Sequence, residues 1–303
     1  MLQQTQMETV IPYYNRFVER FPDVYTLASA DDAEVLKYWQ GLGYYRRANY
    51  LHQAAKQIVE NFAGVFPKDY SEILSLKGVG EYTAGAIHSI AFGQPTPAID
   101  GNVHRVLSRL LSYPGDVTTR KSDTFFKTQL QEMIVYENPS DFTQAMMELG
   151  ALICKKQPLC EMCPVSKHCS AFVSGTQNDY PVKKPKKPIS IEHYITFVYD
   201  NSESQTMLIK RPDNGLLANL LAFPQYPSVT LDKAIRAFEN EFALTITKAD
   251  YLFDIDHVFS HKKWLMKVYR VHADPVPKSV LFYDLDNLPE AISKAHSKII
   301  ERI

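Results

Sequence analysis

The spacing of apolar residues along this chain changes once, near residue 170, and the change restricts which folds are possible. Before that point, apolar residues recur three and four positions apart, which is the period of an amphipathic helix. This helical spacing occupies residues 33–39, 48–62, 83–92, 103–111, 123–136 and 143–153. Beyond it, short runs of β-branched and aromatic residues indicate strands. The sequence therefore predicts an all-helical domain followed by an α+β domain.

A basic segment is predicted to connect the two domains. Residues 175–188 contain lysines and prolines but few apolar side chains, a composition typical of an extended linker. The length of 303 residues also exceeds that of a usual single domain. We therefore predict a helical domain over residues 1–174 and an α+β domain over residues 189–303. In the second domain, strands are predicted at 193–199, 206–210 and 264–271, and helices at 231–242 and 288–303.

The composition limits where the chain acts and how it meets a charged partner. With 45% hydrophobic and 22% charged residues, it is ordinary for a globular protein. No apolar run is long enough to span a bilayer, and the first residues do not resemble a signal peptide, so we expect a protein of the bacterial cytoplasm or of an organelle, with no membrane partner. The net charge of −1 excludes a broad basic field. Binding to nucleic acid would therefore depend on local patches and backbone amides.

The cysteines of the chain are confined to one short segment. Cys154, Cys160, Cys163 and Cys169 follow a predicted helix, and two residues separate the middle pair. This clustering favours a metal site over disulfides and over four unrelated buried cysteines. Four thiolates bind either a four-iron cluster or a zinc ion, and the spacing alone leaves both possibilities open.

Two further motifs lie at the beginnings of predicted helices. Leu76–Gly80 joins two helical segments, and its Gly78 and Gly80 permit a tight turn that exposes backbone amides to a phosphate. A Gly-x-Gly by itself is more often an ordinary turn between helices. Asp100 begins another predicted helix, where an aspartate is most often a simple cap.

Taken together, Leu76–Gly80, the acid in Ile99–Arg105 and the cysteine loop resemble the helix-hairpin-helix DNA glycosylases that carry an iron–sulfur loop. Within them, the chain is similar to the MutY-type adenine DNA glycosylases, most specifically at Met1–Gln6, Gly41–Tyr45 and Ala98–Asn102. The resemblance implies a monomeric, multidomain protein: an all-α helix-hairpin-helix glycosylase domain with an iron–sulfur loop, followed by an α+β Nudix-like domain. It implies hydrolysis of the N-glycosidic bond of adenine mispaired with 8-oxoguanine or guanine in double-stranded DNA.

The resemblance also implies roles for residues of the helical domain. Asp100 would stabilise the oxocarbenium-like sugar, and Tyr82 and Asn102 would line the same pocket. Gln4 and Tyr44 would wedge into the duplex beside the mismatch, because a base that flips out leaves a gap to be filled.

For the cysteine loop, the resemblance favours a 4Fe-4S cluster bound by all four cysteines. The family usually has six residues between the first two cysteines, whereas this chain has five, so ligation by Cys154 is the least supported.

In the second domain, Phe259-Ser260-His261 resembles the loop that recognises 8-oxoguanine in this family. Without that context, the same three residues are typical of a turn at a strand edge. The predicted helix 231–242 carries only Glu239 and Glu241 as acids in its second half, too few for the magnesium cluster of a pyrophosphate hydrolase. We therefore expect this domain to recognise the lesion without hydrolase activity.

In this family a glutamate just before the Met-Leu-Gln-Gln-Thr match protonates the departing adenine. The sequence starts at that match, and Glu8 lies too far along to replace the glutamate, so we expect impaired release of adenine from the chain as it stands. Three alternatives follow. A non-catalytic lesion-binding protein would keep Asp100 and Ser260. An endonuclease III-like lyase would need a Schiff-base lysine where this chain has Tyr82. A zinc-dependent regulator would use the cysteines alone.

Overall fold

The computed structural model describes residues 1–3, 5–135, 138–185, 188–227, 230–275 and 280–303. Gln4, a predicted DNA contact, lies outside these residues, as does the end of the helix predicted over 123–136. The chain packs as two compact units, Met1–Lys56 with Lys187–Ile303 and Gln57–Lys186. Among the described residues, no helix is both long and apolar enough to cross a membrane.

The first part of the chain is helical, as predicted, and its described residues up to 185 contain no strand. Each predicted helix is present, although several begin earlier than the apolar spacing suggested. The helices are α1 (Met7–Arg20), α2 (Val24–Ser29), α3 (Asp32–Trp39), α4 (Arg46–Phe62), α5 (Tyr70–Ser75), α6 (Glu81–Ile90), α7 (Gly101–Leu110), α8 (Arg120–Ile134), α9 (Pro139–Glu148) and α10 (Ser170–Val173). A π-helical turn, Leu149–Ile153, extends α9.

The N-terminal helices share a core with the α+β domain. Trp39 of α3 is 1% exposed and shares an apolar cluster with Phe17 of α1 and with Phe21, the residue after α1. Leu220 and Ala291 belong to the same cluster. The Tyr45 hydroxyl donates a hydrogen bond to the carbonyl of Ile292 at 3.3 Å. These contacts explain why the first 56 residues pack with the C-terminal part of the chain.

The C-terminal part is the predicted α+β domain. Its strands are β1 (Ser190–Tyr199), β2 (Thr206–Lys210), β3 (Leu221–Ala222), β4 (Gln225–Pro227), β5 (Thr245–Val258), β6 (Lys262–Asp274) and β7 (Leu281–Tyr283). One sheet has the order β4-β1-β6-β5, with β1 parallel to β6, and another has the order β3-β2-β7. Helices α11 (Leu231–Phe242) and α12 (Lys294–Ile300) complete the domain.

The helix predicted over residues 288–303 is wrong in its first part. Ile292 forms a parallel bridge with Leu221, and the carbonyl of Ala291 accepts a hydrogen bond from the Leu221 amide at 2.9 Å. The helix begins only after Ser293, whose hydroxyl caps the amide of His296. Pairing with a strand distant in sequence has therefore overridden the apolar spacing of residues 288–293.

A buried histidine makes the α+β domain sensitive to acid. His296 is fully buried, its Nδ1 accepts a hydrogen bond from the Phe223 amide at 3.3 Å, and its ring stacks on that of Phe223. Burial, followed by the charges of Arg211 and His257, lowers the pKa of His296 to about 3. The unfolded histidine has a pKa of about 6.5, so the unfolded state binds more protons between the two values, and stability falls as the pH drops from 6.5 towards 3.

We expect this histidine to lower the free energy of unfolding by about 2 kcal/mol between pH 7 and pH 5, from roughly 1.4 kcal/mol per pH unit below 6.5. Denaturant unfolding at the two pH values measures the change. The variant His296→Gln has no titrating ring, so its stability should fall less over the same interval. An equal fall in the two proteins would place the acid sensitivity elsewhere.

Candidate functional site

The carboxylate of Asp100 is held in one orientation at the beginning of α7. Its Oδ1 accepts hydrogen bonds from the amides of Asn102 and Val103, both at 2.8 Å. Its Oδ2 accepts a hydrogen bond from Nδ2 of Asn102 at 3.0 Å. Asp100 is therefore a helix cap, as its position suggested, but its half-buried carboxylate is also a fixed negative charge.

Tyr82, in the first turn of α6, lies in the electrostatic field of Asp100. Burial raises the pKa of the Tyr82 phenol, and the negative charge of Asp100 raises it further. The phenol therefore keeps its proton at neutral pH, and it lies 4.0 Å from the sulfur of Met147. Asp100 and Asn102 are thus in direct contact, and Tyr82 lies within electrostatic range of Asp100. That the three line one pocket stays a prediction.

Two glycines, which the sequence analysis did not single out, allow close packing around Asp100 and Asn102. A Cβ at Gly85 of α6 would lie 2.2 Å from the carbonyl oxygen of Pro97, so α6 packs directly against the backbone that leads to Asp100. A Cβ at Gly150 would lie 2.7 Å from the Cβ of Asn102, so the π-helical turn packs equally closely on that residue. A glycine inside a helical pattern is the signal that could have identified both positions.

Arg105 connects the acid to the cysteine segment. Its Nη2 donates hydrogen bonds to Oδ1 of Asn102 at 2.9 Å and to the carbonyl of Gly150 at 2.8 Å. Its Nε donates to the carbonyl of Cys154 at 2.7 Å. Because Asn102 in turn donates to Asp100, a continuous chain of hydrogen bonds runs from the carboxylate to Cys154.

The four cysteines line one shared pocket. In the described residues, no three histidine, cysteine or acidic side chains already converge as metal ligands do. Burial and then the charges of Cys169 and Cys154 raise the pKa of Cys160, so the thiols lie close enough to repel one another as thiolates. Thiolate donors that face one shared pocket fit a bound metal cluster, because a cation offsets that repulsion.

Arg109, which the sequence analysis did not single out, holds the cysteine segment in place. It is 3% exposed, and its Nη1 lies 3.4 Å from the sulfur of Cys154. The Cys169 thiol lies 3.5 Å from the Arg109 carbonyl oxygen. The guanidinium also donates hydrogen bonds to backbone carbonyls on both sides of the pocket, those of Lys155, Lys156, Gln177 and Tyr180.

The predicted hairpin is formed by α5, a short turn and α6. Gly78 has a φ of +77°, in the left-handed region that favours glycine, and the Val79 amide closes the turn on the carbonyl of Leu76 at 3.1 Å. Gly80 is the residue before α6 and has an extended conformation that any residue adopts. A Cβ at Gly80 would meet no atom within 4 Å, so the space beside this residue is open.

Tyr44 lies in an exposed turn before α4. It is 51% exposed, and its φ of +49° is unusual for a residue with a side chain. Gly41 and Gly43, on its N-terminal side, also have positive φ angles of +102° and +71°. The turn therefore places the ring of Tyr44 on the surface, where a side chain must lie if it is to enter a duplex.

Phe259, Ser260 and His261 form the turn between β5 and β6. The Phe259 amide donates to the carbonyl of Lys262 at 2.8 Å, which closes the turn. The ring of Phe259 packs against those of His257 and Trp264, at centroid distances of 4.6 and 4.8 Å. Ser260 and His261 are exposed, and Oγ of Ser260 lies 3.4 Å from Nδ1 of His261. Phe259 thus supports the turn, while the two polar side chains face outward.

Family models and known proteins match both parts of the chain. A model described as HhH-GPD superfamily base excision DNA repair protein matches residues 1–132, and a NUDIX domain model matches residues 195–302. The solved structure of a thermostable thymine-DNA glycosylase is 28% identical with a TM-score of 0.50, covering 57% of this chain and 80% of its own.

Curated relatives named adenine DNA glycosylase match most of this chain. The Arabidopsis thaliana protein is 35% identical over 89% of this chain and 50% of its own length, and the Mus musculus protein is 35% identical over 92% and 64%. The protein of Buchnera aphidicola subsp. Baizongia pistaciae is 32% identical over 99% of this chain and 87% of its own length. The chain therefore spans half to two thirds of the plant and mouse relatives, and most of the bacterial one.

Proposed function

This chain belongs to the adenine DNA glycosylase family, and we propose that it removes adenine mispaired with 8-oxoguanine or guanine in duplex DNA. The observation that carries the proposal is the carboxylate of Asp100, anchored through both oxygens beside a protonated Tyr82. An anchored anion beside a neutral phenol suits a reaction in which a sugar becomes positively charged.

In the proposed reaction, the bond between the sugar C1′ and the adenine nitrogen breaks, and its electron pair leaves with the base. Positive charge develops on the sugar, and the Asp100 carboxylate stabilises it without having to reorient. The departing base takes a proton from solvent, water then adds to C1′, and solvent accepts the proton that this water loses; without a positioned general acid, release is expected to be slow. Tyr82 and Asn102 line the pocket, where the Asn102 amide also keeps Oδ2 of Asp100 in place.

DNA binding is assigned to the hairpin and to the exposed Tyr44 turn. The N-terminus of α6, next to the uncrowded Gly80, would bind a backbone phosphate, which needs no particular base sequence. Tyr44, together with Gln4, would fill the space that the flipped adenine leaves. Local contacts of this kind are consistent with a chain whose net charge is only −1.

The reaction is tested by single-turnover release of adenine from duplexes that pair it with 8-oxoguanine, guanine or thymine. We expect faster release opposite 8-oxoguanine and guanine than opposite thymine. Duplex affinity is measured on the same preparation. Selective lesion binding without release of adenine would instead identify a non-catalytic lesion-binding protein, and equal behaviour on all three duplexes would contradict the proposal.

Reading of 8-oxoguanine is assigned to Ser260 and His261 in the β5–β6 turn. Replacing both by alanine should lower the preference for 8-oxoguanine over guanine opposite adenine by roughly 5- to 150-fold, since a polar base contact is worth about 1–3 kcal/mol. Affinity for undamaged duplex should change little, because the hairpin binds phosphate. The change is measured as a ratio of dissociation constants. The matched control is Ser202→Ala in another exposed turn of the domain, and equal weakening on both duplexes would give the β5–β6 turn a structural role only.

We further propose that Cys154, Cys160, Cys163 and Cys169 hold a 4Fe-4S cluster. When bound, such a cluster crosslinks the loop through its thiolate ligands. The crosslinked segment also carries Lys155, Lys156 and Lys167, which would face DNA phosphate. The contacts of Arg109 with Cys154 and with the neighbouring carbonyls support a loop that is built around a common centre.

The purified protein should absorb visible light and contain iron. Cys163→Ser should remove the iron and weaken duplex binding, because the loop loses the crosslink that orders its lysines. Cys154→Ser is expected to do less, owing to the shorter gap before Cys160. Metal analysis and the visible spectrum check these outcomes, and one zinc per chain without iron would contradict them.

A further inference from the structure

The guanidinium of Arg47 lies between a buried ring and an exposed one. Its central carbon is 5.4 Å from the ring centroid of Trp39 and 5.4 Å from that of Tyr44. Trp39 is 1% exposed, whereas Tyr44 is 51% exposed. A cation that faces two aromatic rings attracts both, so Arg47 ties the exposed Tyr44 ring to the core of its own unit.

The same guanidinium donates hydrogen bonds to two separate segments of the chain. Nη1 donates hydrogen bonds to the carbonyl of Met1 at 2.8 Å and to that of Gln3. Nη2 donates to Oγ1 of Thr5 at 3.2 Å and to the carbonyl of Gly43 at 3.3 Å. Gly43 directly precedes Tyr44, and the other three residues precede α1. Arg47 therefore joins the turn that carries Tyr44 to the beginning of the chain.

We infer that Arg47, itself held by the segment before α1, is the positioning residue for the Tyr44 turn, and that it keeps this turn ready to enter the duplex. The inference rests on the function proposed above. The left-handed backbone at Tyr44 is strained and needs surrounding contacts to persist. Only arginine offers a planar group that both faces the two rings and donates in several directions, so lysine cannot replace it.

Arg46 provides a matched control. It is the preceding residue of α4, is exposed, and places its guanidinium 5.6 Å from the ring of Tyr50 while donating to the Tyr50 hydroxyl at 2.8 Å. Arg46→Lys and Arg47→Lys therefore remove the same chemical group from the same helix and keep the charge. Only Arg47→Lys affects the contacts with Tyr44 and the segment before α1.

The experiment places 2-aminopurine beside the adenine–8-oxoguanine mismatch and measures the rise in fluorescence when the protein unstacks it. Arg47→Lys should lower the equilibrium constant for unstacking about tenfold, as expected for loss of a partly buried cation–π contact, while the protein stays folded, which thermal melting checks, and affinity for undamaged duplex changes little. Arg46→Lys should behave like the wild type. With Tyr44→Ala already present, Arg47→Lys should add little, because the two residues act through one contact.

If Arg47→Lys unstacks the duplex as well as the wild type does, the positioning role is overturned. The same holds if the effects of Arg47→Lys and Tyr44→Ala are additive. Neither result bears on the function proposed above. A wild-type protein that unstacks neither damaged nor undamaged duplex would instead contradict the function proposed above. If Arg47→Lys does not fold, Thr5→Val removes one acceptor of Nη2 and keeps the arginine. Thr5→Val should reduce unstacking, but by less than Arg47→Lys would. Unstacking at the wild-type level in this variant would count against the inference.

Discussion

Replacement of Asp100 by asparagine is expected to slow adenine release by at least about a hundredfold, while the free energy of unfolding stays nearly the same. Asparagine caps a helix as well as aspartate does, so its oxygen can still accept from the amides of Asn102 and Val103. It carries no charge, however, and a preorganised electrostatic contact to a transition state is worth roughly a hundred- to a thousandfold in rate. Single-turnover release from the adenine–8-oxoguanine duplex measures the change.

The control for this substitution is Asp23→Asn. Asp23 is the cap of α2, and its carboxylate accepts a hydrogen bond from the Thr26 amide at 2.8 Å. Both variants therefore exchange a capping aspartate for a capping asparagine, but only one lies beside Tyr82. A comparable loss of rate in the two variants would indicate a general effect on folding. A normal rate in Asp100→Asn would remove the carboxylate from the mechanism.

Replacement of Arg109 by methionine is expected to lower the free energy of unfolding by about 3–5 kcal/mol, because a buried charged donor with many partners is lost. The side chain is 3% exposed and donates to carbonyls of four residues, Lys155, Lys156, Gln177 and Tyr180. Methionine fills similar space but leaves these carbonyls without their donor. The cysteine segment should loosen, and the iron content should fall with it.

Denaturant unfolding and metal analysis of Arg109→Met check both effects. Arg236→Met, on the exposed face of α11, is the matched control and should alter neither the free energy of unfolding nor the iron content. Arg109→Lys keeps the charge but not the planar fork, so it should lie between the wild type and Arg109→Met. Full iron content together with normal stability in Arg109→Met would show that the segment is held by other contacts.

Several features of the fold and of the candidate site follow from residues that are neighbours in sequence. The helices before residue 170 have apolar residues three and four apart, and the cap at Asp100 involves only the next three residues. The turn Phe259–His261 closes on Lys262, and strand β6 after it was partly recognisable from its β-branched and aromatic run. The cysteines were conspicuous because 16 positions contain all four of them, from Cys154 to Cys169.

Strand β5 and the late start of α12 were not evident from local patterns. β5 mixes charged and apolar residues, and it becomes a strand because it pairs along β6. Ile292 leaves the helical pattern because it pairs with Leu221. In each case a partner distant in sequence supplies the hydrogen bonds, and these outweigh the local preference.

The sequence by itself determined which local elements form and which chemical groups are present: the carboxylate at a helix start, the clustered thiols and the exposed Ser-His turn. Tertiary structure alone decided which groups meet. Arg109 reaches Cys154 across 45 positions, Arg105 joins Asn102 to the same segment, and Gly85 is needed only because Pro97 packs on it. The physical reason is range: caps and periodicity act within a few residues, whereas an arginine or a glycine acquires its role from backbone that folding brings to it.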